Sequence, residues 1–160
     1  MKDFHKYPKI KLIGNEENKE LLLDPEDEIV IEEKIDGANF RFMYHDGKFI
    51  FGSRTRELGE PGDDNKSWGR CIGYIQRLMK KGDYNDFIFY GENCIRHSTP
   101  YDFETMPPFL GFDIYDLVEC EFMPWKDAKG IYEQIDIECI NGQKIELIND
   151  NGVFKTTLIN

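Results

Sequence analysis

Residues 38–53 read ANFRFMYHDGKFIFGS, which is two alternating stretches of apolar and polar residues separated by His-Asp-Gly at 45–47. Alternation with a period of two is typical of a strand that is buried on one face. An Asp-Gly pair between two such stretches favours a tight hairpin turn. The sequence therefore predicts an antiparallel pair of strands over 38–45 and 48–53, a unit that must find further strands or helices to cover it.

The remaining elements follow from the same reading of apolar spacing. A β-branched run predicts a first strand near 28–34, which the Asp36-Gly37 turn would join to the hairpin as one antiparallel meander. Apolar positions at spacings of three and four predict two helices. We predict strands at 86–94, 108–116 and 135–140, helices over 68–79 and 125–134, and a terminal hairpin within 144–159. The predicted fold class is α+β, mainly antiparallel strands with a few packed helices.

Length and composition favour one globular domain over residues 1–160. The four cysteines form no C-x-x-C pair, which argues against a zinc knuckle or a dense disulfide framework and favours reduced, mostly buried thiols. No stretch approaches the roughly 20 apolar residues that a membrane span requires. We therefore expect a soluble, cytoplasmic protein with no membrane partner.

The net charge of −11 at first disfavours nucleic acid as a partner, because phosphate binding needs lysine and arginine. The charge is unevenly distributed, however. Residues 1–33 and 101–160 are acidic, whereas residues 34–81 hold 10 Lys/Arg against 6 Asp/Glu. This segment includes the basic face of the first predicted helix: Lys66, Arg70, Arg77 and Lys80. A solvated helix face and a phosphate-contacting face both fit this pattern.

One lysine of the basic segment stands in an unusual place. Lys34 follows the β-branched strand and precedes Asp36-Gly37, so a cation lies where a strand enters a turn. A solvated side chain would explain it. The alternative is a nucleophile held steadily at a strand end, with the small Gly37 leaving room for a ligand to approach the backbone.

Four motifs in order resemble the covalent nucleotidyltransferases, the superfamily of polynucleotide ligases and mRNA capping enzymes. KIDGAN at 34–39 resembles the K-x-D-G-x-N element that carries the adenylated lysine. FGSRT at 51–55 is similar to the family's arginine element, FYGEN at 89–93 to its acidic element, and FLGFDIY at 109–115 to its F-x-x-F-D-I element. The chain most resembles RNA ligases of the RNA ligase 2 type, which implies the fold of a ligase adenylation domain.

Two residues distinguish branches within this resemblance. DNA ligases typically have Arg at the motif position of Asn39 and Asp at that of Tyr90. Asn39 and Tyr90 therefore favour the RNA-joining branch, and the F-x-x-F-D-I spacing favours it over capping enzymes. The resemblance implies RNA as the partner, including nicked or broken duplex ends.

The resemblance also implies a chemical role for the lysine. Attack of its amine on the α-phosphate of ATP gives a lysyl-AMP phosphoramidate and releases pyrophosphate. A free lysine has a pKa of about 10.4, so the amine must be made neutral by desolvation or by neighbouring positive charge. The expected cofactors are therefore ATP and Mg²⁺, although no metal ligands are assigned from the sequence.

The remaining site residues take their roles from the same resemblance. We expect Arg54, on a strand paired with the nucleophile strand, to contact the sugar-phosphate, and Asn39 to lie near the reacting phosphate. Glu92 would accept a ribose hydroxyl, and Phe112 would stack on adenine. The nucleotide-binding set comprises Glu33, Asp36, Gly37, Asn39, Arg54, Glu92 and Phe112, with Lys34 as the catalytic residue. Taken singly, each has an ordinary structural explanation, and only their joint order favours function.

The C-terminal region departs from the family pattern. An E-G-x-V-x-K element that supports metal binding and a K-x-K element that holds the triphosphate are expected, yet NGVFK at 151–155 only superficially resembles the first and reads as a hairpin turn. The sequence therefore predicts the front part of an adenylyltransferase domain, with a possible partner chain carrying the missing motifs. Three functions remain open: an ATP-dependent RNA ligase or fragment of one, a non-catalytic nucleotide-binding domain or half of a split ligase, and a capping or DNA-joining enzyme.

Overall fold

The structure is a computed structural model that describes residues 4–12, 15–18, 29–59, 67–79, 84–96, 98–150 and 153–158. The described elements are a 3-10 turn at Glu16–Asn18, strands β1 (Ile29–Glu32), β2 (Ala38–His45), β3 (Lys48–Ser53), β4 (Glu57–Leu58), β5 (Phe87–Asn93), β6 (Phe109–Asp116), β7 (Glu121–Phe122), β8 (Gly142–Asp150) and β9 (Val153–Leu158), and helices α1 (Gly69–Leu78) and α2 (Trp125–Gln134).

The chain divides into two compact units. The first comprises Met1–Tyr7 and Lys34–Ile140, and the second comprises Pro8–Glu33 and Asn141–Asn160. The prediction of one domain over 1–160 concerns the whole chain and stays a prediction.

The first unit is built on a six-stranded antiparallel sheet with strand order β4-β3-β2-β5-β6-β7. The predicted hairpin is confirmed: β2 and β3 pair from Phe40 opposite Ser53 to His45 opposite Lys48. Asp46 and Gly47 both have positive φ, 51° and 79°, as a tight hairpin turn of this kind requires. The strands predicted at 86–94 and 108–116 are also confirmed as β5 and β6.

The first predicted strand forms, but its predicted pairing is wrong. β1 pairs with β8 from Ile29 opposite Ile145 to Glu32 opposite Gly142, in a separate sheet of order β1-β8-β9 within the second unit. The bend at Asp36-Gly37 therefore separates two sheets and does not link strands of one meander. The terminal hairpin β8–β9 is as predicted, while its turn at 151–152 lies outside the described residues.

Both predicted helices are confirmed, and they cover one face of the six-stranded sheet. We call this side of the sheet the helix face. Every second residue of its strands places an aromatic or aliphatic side chain there, and these side chains pack against apolar residues of α1 and α2. The buried members are Phe40, Phe42, Phe51, Phe89, Phe109 and Ile114 from the sheet and Cys71, Ile72, Ile75, Ala128 and Tyr132 from the helices.

The side of the sheet away from the helices, here called the opposite face, is covered by residues 4–7 near the N-terminus. Met43, Ile88 and Tyr90 are fully buried there, and Phe4 and Tyr7 pack against them. This cover could not be predicted, because FHKYP has neither a strand nor a helix period. The first unit thus has three layers, with its central strands buried on both faces.

The strand predicted at 135–140 is absent from the described structure. Asp136 has a φ of 55°, which breaks an extended path directly after α2. The segment instead makes an isolated parallel bridge between Cys139 and Gly111, and the N–H of Ile140 donates to the carbonyl of Gly111 at 2.8 Å. It closes the edge of the helix-face core with the buried Ile137.

All four cysteines are free thiols, as predicted, and Cys71 and Cys94 are buried whereas Cys120 is exposed. Among the described residues, no helix is both long enough and apolar enough to span a bilayer. Lys66 and Lys80, of the basic face of the first helix, lie outside the described residues.

Candidate functional site

Lys34 lies in the turn that leads into β2. Its side chain is exposed, and the next residue, Ile35, is buried with 8% of its surface exposed. An exposed side chain followed by buried and anchored residues is presented to a ligand from a fixed backbone. The neighbouring hydrogen bonds show how this turn is fixed.

Asp36 anchors the turn to the loop that follows β5. Its Oδ2 accepts hydrogen bonds from the backbone N–H of Ser98 at 3.0 Å, the Ser98 hydroxyl at 2.7 Å and the backbone N–H of Thr99 at 2.7 Å. The N–H of Asp36 in turn donates to the hydroxyl of Tyr101 at 3.3 Å. The motif aspartate therefore acts in the fold as a loop anchor beside Lys34, and its contact with a nucleotide stays a prediction.

Gly37 is required by the close approach of β5. A Cβ at this position would lie 2.5 Å from the carbonyl oxygen of Asn93, well inside van der Waals contact. The N–H of Gly37 donates to Oε1 of Glu92 at 3.2 Å. The neighbouring strand thus occupies the space beside this glycine, and the Gly37–Glu92 bond joins the lysine turn directly to the acidic element.

Strand alternation places three of the predicted residues on the opposite face of the sheet. Asn39 lies on β2 in the same alternation as the buried Met43, and Glu92 lies on β5 in the same alternation as Tyr90. Asn39 and Glu92 are direct cross-strand partners, so their side chains are neighbours. Phe112, on β6, is half-buried and packs against the buried residues of this face. The structure therefore brings Asn39, Glu92 and Phe112 to one surface.

The amide of Asn39 has an unsatisfied oxygen. Its Oδ1 is buried and has no hydrogen-bond partner among the described residues. A buried acceptor without a donor is unfavourable by about 1–3 kcal/mol. A hydrogen-bond donor of a polar ligand, such as a hydroxyl or an ammonium group, would satisfy this oxygen if the ligand reached it.

A β-bulge shapes the surface around Phe112. Tyr90 pairs with Asp113 and the next pair is Gly91 with Gly111, so Phe112 is the extra residue of β6. A bulge of this kind turns two consecutive side chains to the same face, here Phe112 and Asp113. From the helix face, the hydroxyl of Tyr132 donates to the carbonyls of Tyr90 at 2.8 Å and Asp113 at 3.1 Å, and so fixes both strands at the bulge.

Arg54 of the arginine element lies in a bend after β3, not on a strand paired with β1, so that part of the prediction is wrong. β3 ends at Ser53 and pairs with β2 and β4, because β1 belongs to the other sheet. Arg54 and Arg56 are exposed. The bend is closed by the N–H of Ser53, which donates to the carbonyl of Arg56 at 2.9 Å.

Arg41, which the sequence analysis did not single out, holds this bend by hydrogen bonds to its backbone carbonyls. It is buried, with 2% of its surface exposed, and its Nη1 donates to the carbonyls of Ser53 at 2.6 Å and Arg54 at 3.2 Å. The ring of Phe4 covers its guanidinium at 4.5 Å. Burial lowers the pKa of Arg41, while Tyr90 and Glu57 act in the opposite sense. A cation among the apolar residues FRFMY was the available signal.

Glu33 is exposed and belongs to the second unit, whereas Lys34 begins the continuous part of the first. Its predicted role in reading adenine or orienting the lysine stays a prediction.

Two further residues that sequence reasoning did not assign, Tyr7 and Asp113, hydrogen-bond to each other beside Phe112. For Asp113 the signal was an acid inside an apolar strand.

Asp113 carries a testable pH dependence. Burial raises the pKa of Asp113 above its usual range, and the hydrogen bond from Tyr7 offsets this only in part. Because the folded state holds this proton more tightly than the unfolded chain, the site's contribution to stability falls as pH rises from the unfolded to the folded pKa. Asp113→Asn keeps an oxygen that accepts from Tyr7 and removes the buried charge.

We expect Asp113→Asn to have a higher unfolding midpoint than wild type at about pH 8 and the difference to shrink toward about pH 4, measured by thermal unfolding. Asp102→Asn, at an exposed position, is the control. A difference that stays constant across this range would show that the buried charge is not its cause.

No set of three His, Cys, Asp or Glu side chains suited to a metal ion occurs in the part of the chain that the structure describes. Mg²⁺ typically retains several waters and binds through one or two carboxylates together with substrate phosphates.

Comparison with known proteins now decides the family. The sequence pattern of the RNA ligase family matches residues 27–151, which is most of the chain. The chain belongs to the RNA ligase family. The predicted resemblance to nucleotidyltransferase-type RNA ligases is thereby confirmed. A search of curated protein sequences found no match.

Solved structures agree on the fold of this RNA ligase family member. A mutant of Naegleria gruberi RNA ligase with ATP and Mn is similar over 76% of this chain and 38% of its own, with a TM-score of 0.56 and 20% identity. An archaeal ATP-dependent RNA ligase is similar over 86% of this chain and 36% of its own, with a TM-score of 0.58 and 18% identity. The α+β fold of ligase adenylation type is confirmed, and this chain spans less than two-fifths of the length of either neighbour.

Proposed function

We propose that this protein acts as an ATP-dependent RNA ligase through a covalent AMP on Lys34, and that it passes the AMP to the 5′-phosphate of RNA. One observation carries the proposal. Asn39, Glu92 and Phe112 share one face of the sheet, and the Gly37–Glu92 hydrogen bond joins that face to the turn that bears Lys34. Family membership supports the reaction class.

The first step forms a phosphorus–nitrogen bond. The Nζ lone pair of Lys34 attacks the α-phosphorus of ATP, and the bond from that phosphorus to the bridging oxygen breaks. Pyrophosphate leaves with the bonding electrons, and the amine loses its proton to solvent. In the second step a 5′-phosphate oxygen of RNA attacks the same phosphorus and the phosphorus–nitrogen bond breaks. The Lys34 nitrogen takes a proton from solvent and becomes an amine again, and the RNA is left adenylated.

The described residues suit the parts of ATP differently. Phe112 offers an aromatic surface for the base, a contact worth about 1–3 kcal/mol for bases stacked on aromatic rings. Glu92 already accepts from Gly37, and a carboxylate has room for further donors such as ribose hydroxyls. Arg54 and Arg56 are exposed on the bend that Arg41 holds, where they can meet phosphate oxygens.

A divalent ion would shield the triphosphate and stabilise the leaving pyrophosphate. The Naegleria structure with ATP and Mn supports a divalent ion in this family, and Mg²⁺ is the ion that we propose for this chain. RNA is the proposed polynucleotide, supported by the family and by the basic segment 34–81. A partner chain that completes the site and a cytoplasmic location stay predictions.

The test is to incubate the protein with α-labelled ATP and Mg²⁺ and to measure acid-stable label on the chain together with released pyrophosphate. Labelled protein is then isolated and mixed with 5′-phosphorylated RNA or with the same strand bearing a 5′-hydroxyl. We expect label to move only to the phosphorylated strand. AMP binding without any label would support a non-catalytic nucleotide-binding domain, and label that moves only to DNA would support a DNA-joining enzyme.

A further inference from the structure

The N-terminal segment reaches the proposed nucleotide site from a distant part of the sequence. We propose that Tyr7 is a positioning residue of that site, which holds Phe112 and Asp113 together so that the base-stacking ring is ordered before the nucleotide binds. The inference rests on the proposed function, because it requires Phe112 to be the surface on which adenine stacks.

Tyr7 contacts two consecutive residues of β6 by two kinds of interaction. Its ring meets that of Phe112 edge to face, with centroids 5.0 Å apart and planes at 69°. Its hydroxyl donates to Oδ2 of Asp113. Both contacts are possible only because the bulge turns Phe112 and Asp113 to the same face. One side chain thus restrains both the aromatic residue and the acid of the F-x-x-F-D-I element.

The segment that carries Tyr7 is itself fixed at several points. The Tyr7 ring packs against Tyr90 at 5.2 Å and Phe122 at 5.7 Å. The hydroxyl of Tyr90 donates to the carbonyl of His5 at 2.9 Å. Phe4 lies over the guanidinium of Arg41 at 4.5 Å. Tyr7 is therefore held in place by the sheet, as a residue that positions another must be.

Breaking the contact between Tyr7 and β6 is unfavourable because of Asp113. Asp113 is half-buried, and loss of the Tyr7 hydroxyl would remove the hydrogen-bond donor of its carboxylate. Without the ring edge and this hydrogen bond, Phe112 would have to be ordered when the nucleotide binds, and ordering one side chain weakens binding by about 2- to 10-fold.

The test compares Tyr7→Phe and Tyr7→Leu with wild type. Calorimetry with AMP should show Kd raised by about 2- to 10-fold for Tyr7→Phe and further for Tyr7→Leu. In self-labelling assays the KM for ATP should rise while the rate at saturating ATP stays within about twofold, because an ordering cost is a loss of uniform binding. His5→Ala is the matched control: its ring contacts Tyr115, and the substitution leaves the backbone carbonyl that Tyr90 uses.

A double-mutant cycle separates positioning from general damage. In an Asp113→Ala background the acceptor is gone, so Tyr7→Phe should change AMP affinity by less than about twofold. Asp113→Asn, which keeps an accepting oxygen, should bind AMP more tightly than Asp113→Ala. Additive losses in the cycle, or losses of AMP affinity that follow the unfolding midpoint, would overturn the inference.

The outcomes also distinguish this inference from the proposed function. A wild-type protein that takes label and binds AMP, with Tyr7 variants that bind AMP as well as or better than wild type, would overturn the inference alone. Tighter binding would mean that Tyr7 occupies the place of the base. A wild-type protein that neither binds adenine nucleotides nor takes label would overturn both.

Discussion

Lys34→Ala should abolish the transfer of label from α-labelled ATP to the protein. The reaction needs an amine with a free electron pair at the α-phosphorus, and alanine offers none, so residual labelling should be below detection. Lys34→Arg should fail equally, because a guanidinium is never deprotonated at working pH. Lys48→Ala is the matched control, since Lys48 is also exposed and lies at the start of β3 on the hairpin turn.

The structure makes this a test of chemistry and not of folding. Lys34 is exposed, and the anchors around it are the Asp36 bonds to Ser98 and Thr99 and the Gly37 bond to Glu92, none of which uses its side chain. We therefore expect Lys34→Ala to unfold at the same temperature as wild type and still to bind AMP. Labelling of Lys34→Ala at the wild-type level would place the nucleophile elsewhere.

Local pattern was sufficient for the elements that are made by neighbours in sequence. The alternation of 38–53 and the Asp-Gly pair fixed the β2–β3 hairpin and its turn, because both strands are adjacent and the turn chemistry is specific. Helices α1 and α2 likewise followed from their own apolar spacing.

Pairings between distant segments could not be predicted in this way. Nothing in the sequence of β1 indicates β8 as its partner. A β-branched strand can pair with many strand edges, and the β2–β3 hairpin is the nearest one in sequence. The cover that residues 4–7 provide was missed for a related reason: its contacts are made by single aromatic side chains with no period. The surroundings of Phe112 therefore emerge only from tertiary structure.

The structure explains two motif glycines by packing, whereas the sequence analysis explained one of them, Gly37, by the approach of a ligand. Gly37 was interpreted as leaving room for a ligand, yet the carbonyl of Asn93 fills the space beside it. Gly91, inside the acidic element, is likewise enclosed by the protein. Packing can thus require a glycine within a motif, even when its neighbour Glu92 is the residue with a proposed ligand.

Gly91→Ala should be strongly destabilising. A Cβ there would lie 2.2 Å from the ring of Phe109 and 2.4 Å from the carbonyl oxygen of Leu110, both closer than packed atoms allow. Phe109 is fully buried in the helix-face core, and the adjacent strand cannot shift without disturbing the bulge pair Tyr90–Asp113. Overpacking of this kind costs about 1–3 kcal/mol or more.

Gly130→Ala is the matched control, because Gly130 lies within α2 and a Cβ built there meets no atom within 4 Å apart from its chain neighbours and the helix's own backbone. Alanine should stabilise that helix by about 0.5–1 kcal/mol. Each kcal/mol shifts Tm by about 2–4 °C for a chain of 150–250 residues, so the two variants should move in opposite directions by several degrees in thermal unfolding. Because the bulge sets the direction of Phe112, Gly91→Ala should also weaken AMP binding at temperatures where it is folded. A Gly91→Ala protein as stable as wild type would show that Phe109 and β6 can yield, and that the bulge is not fixed by packing at this glycine.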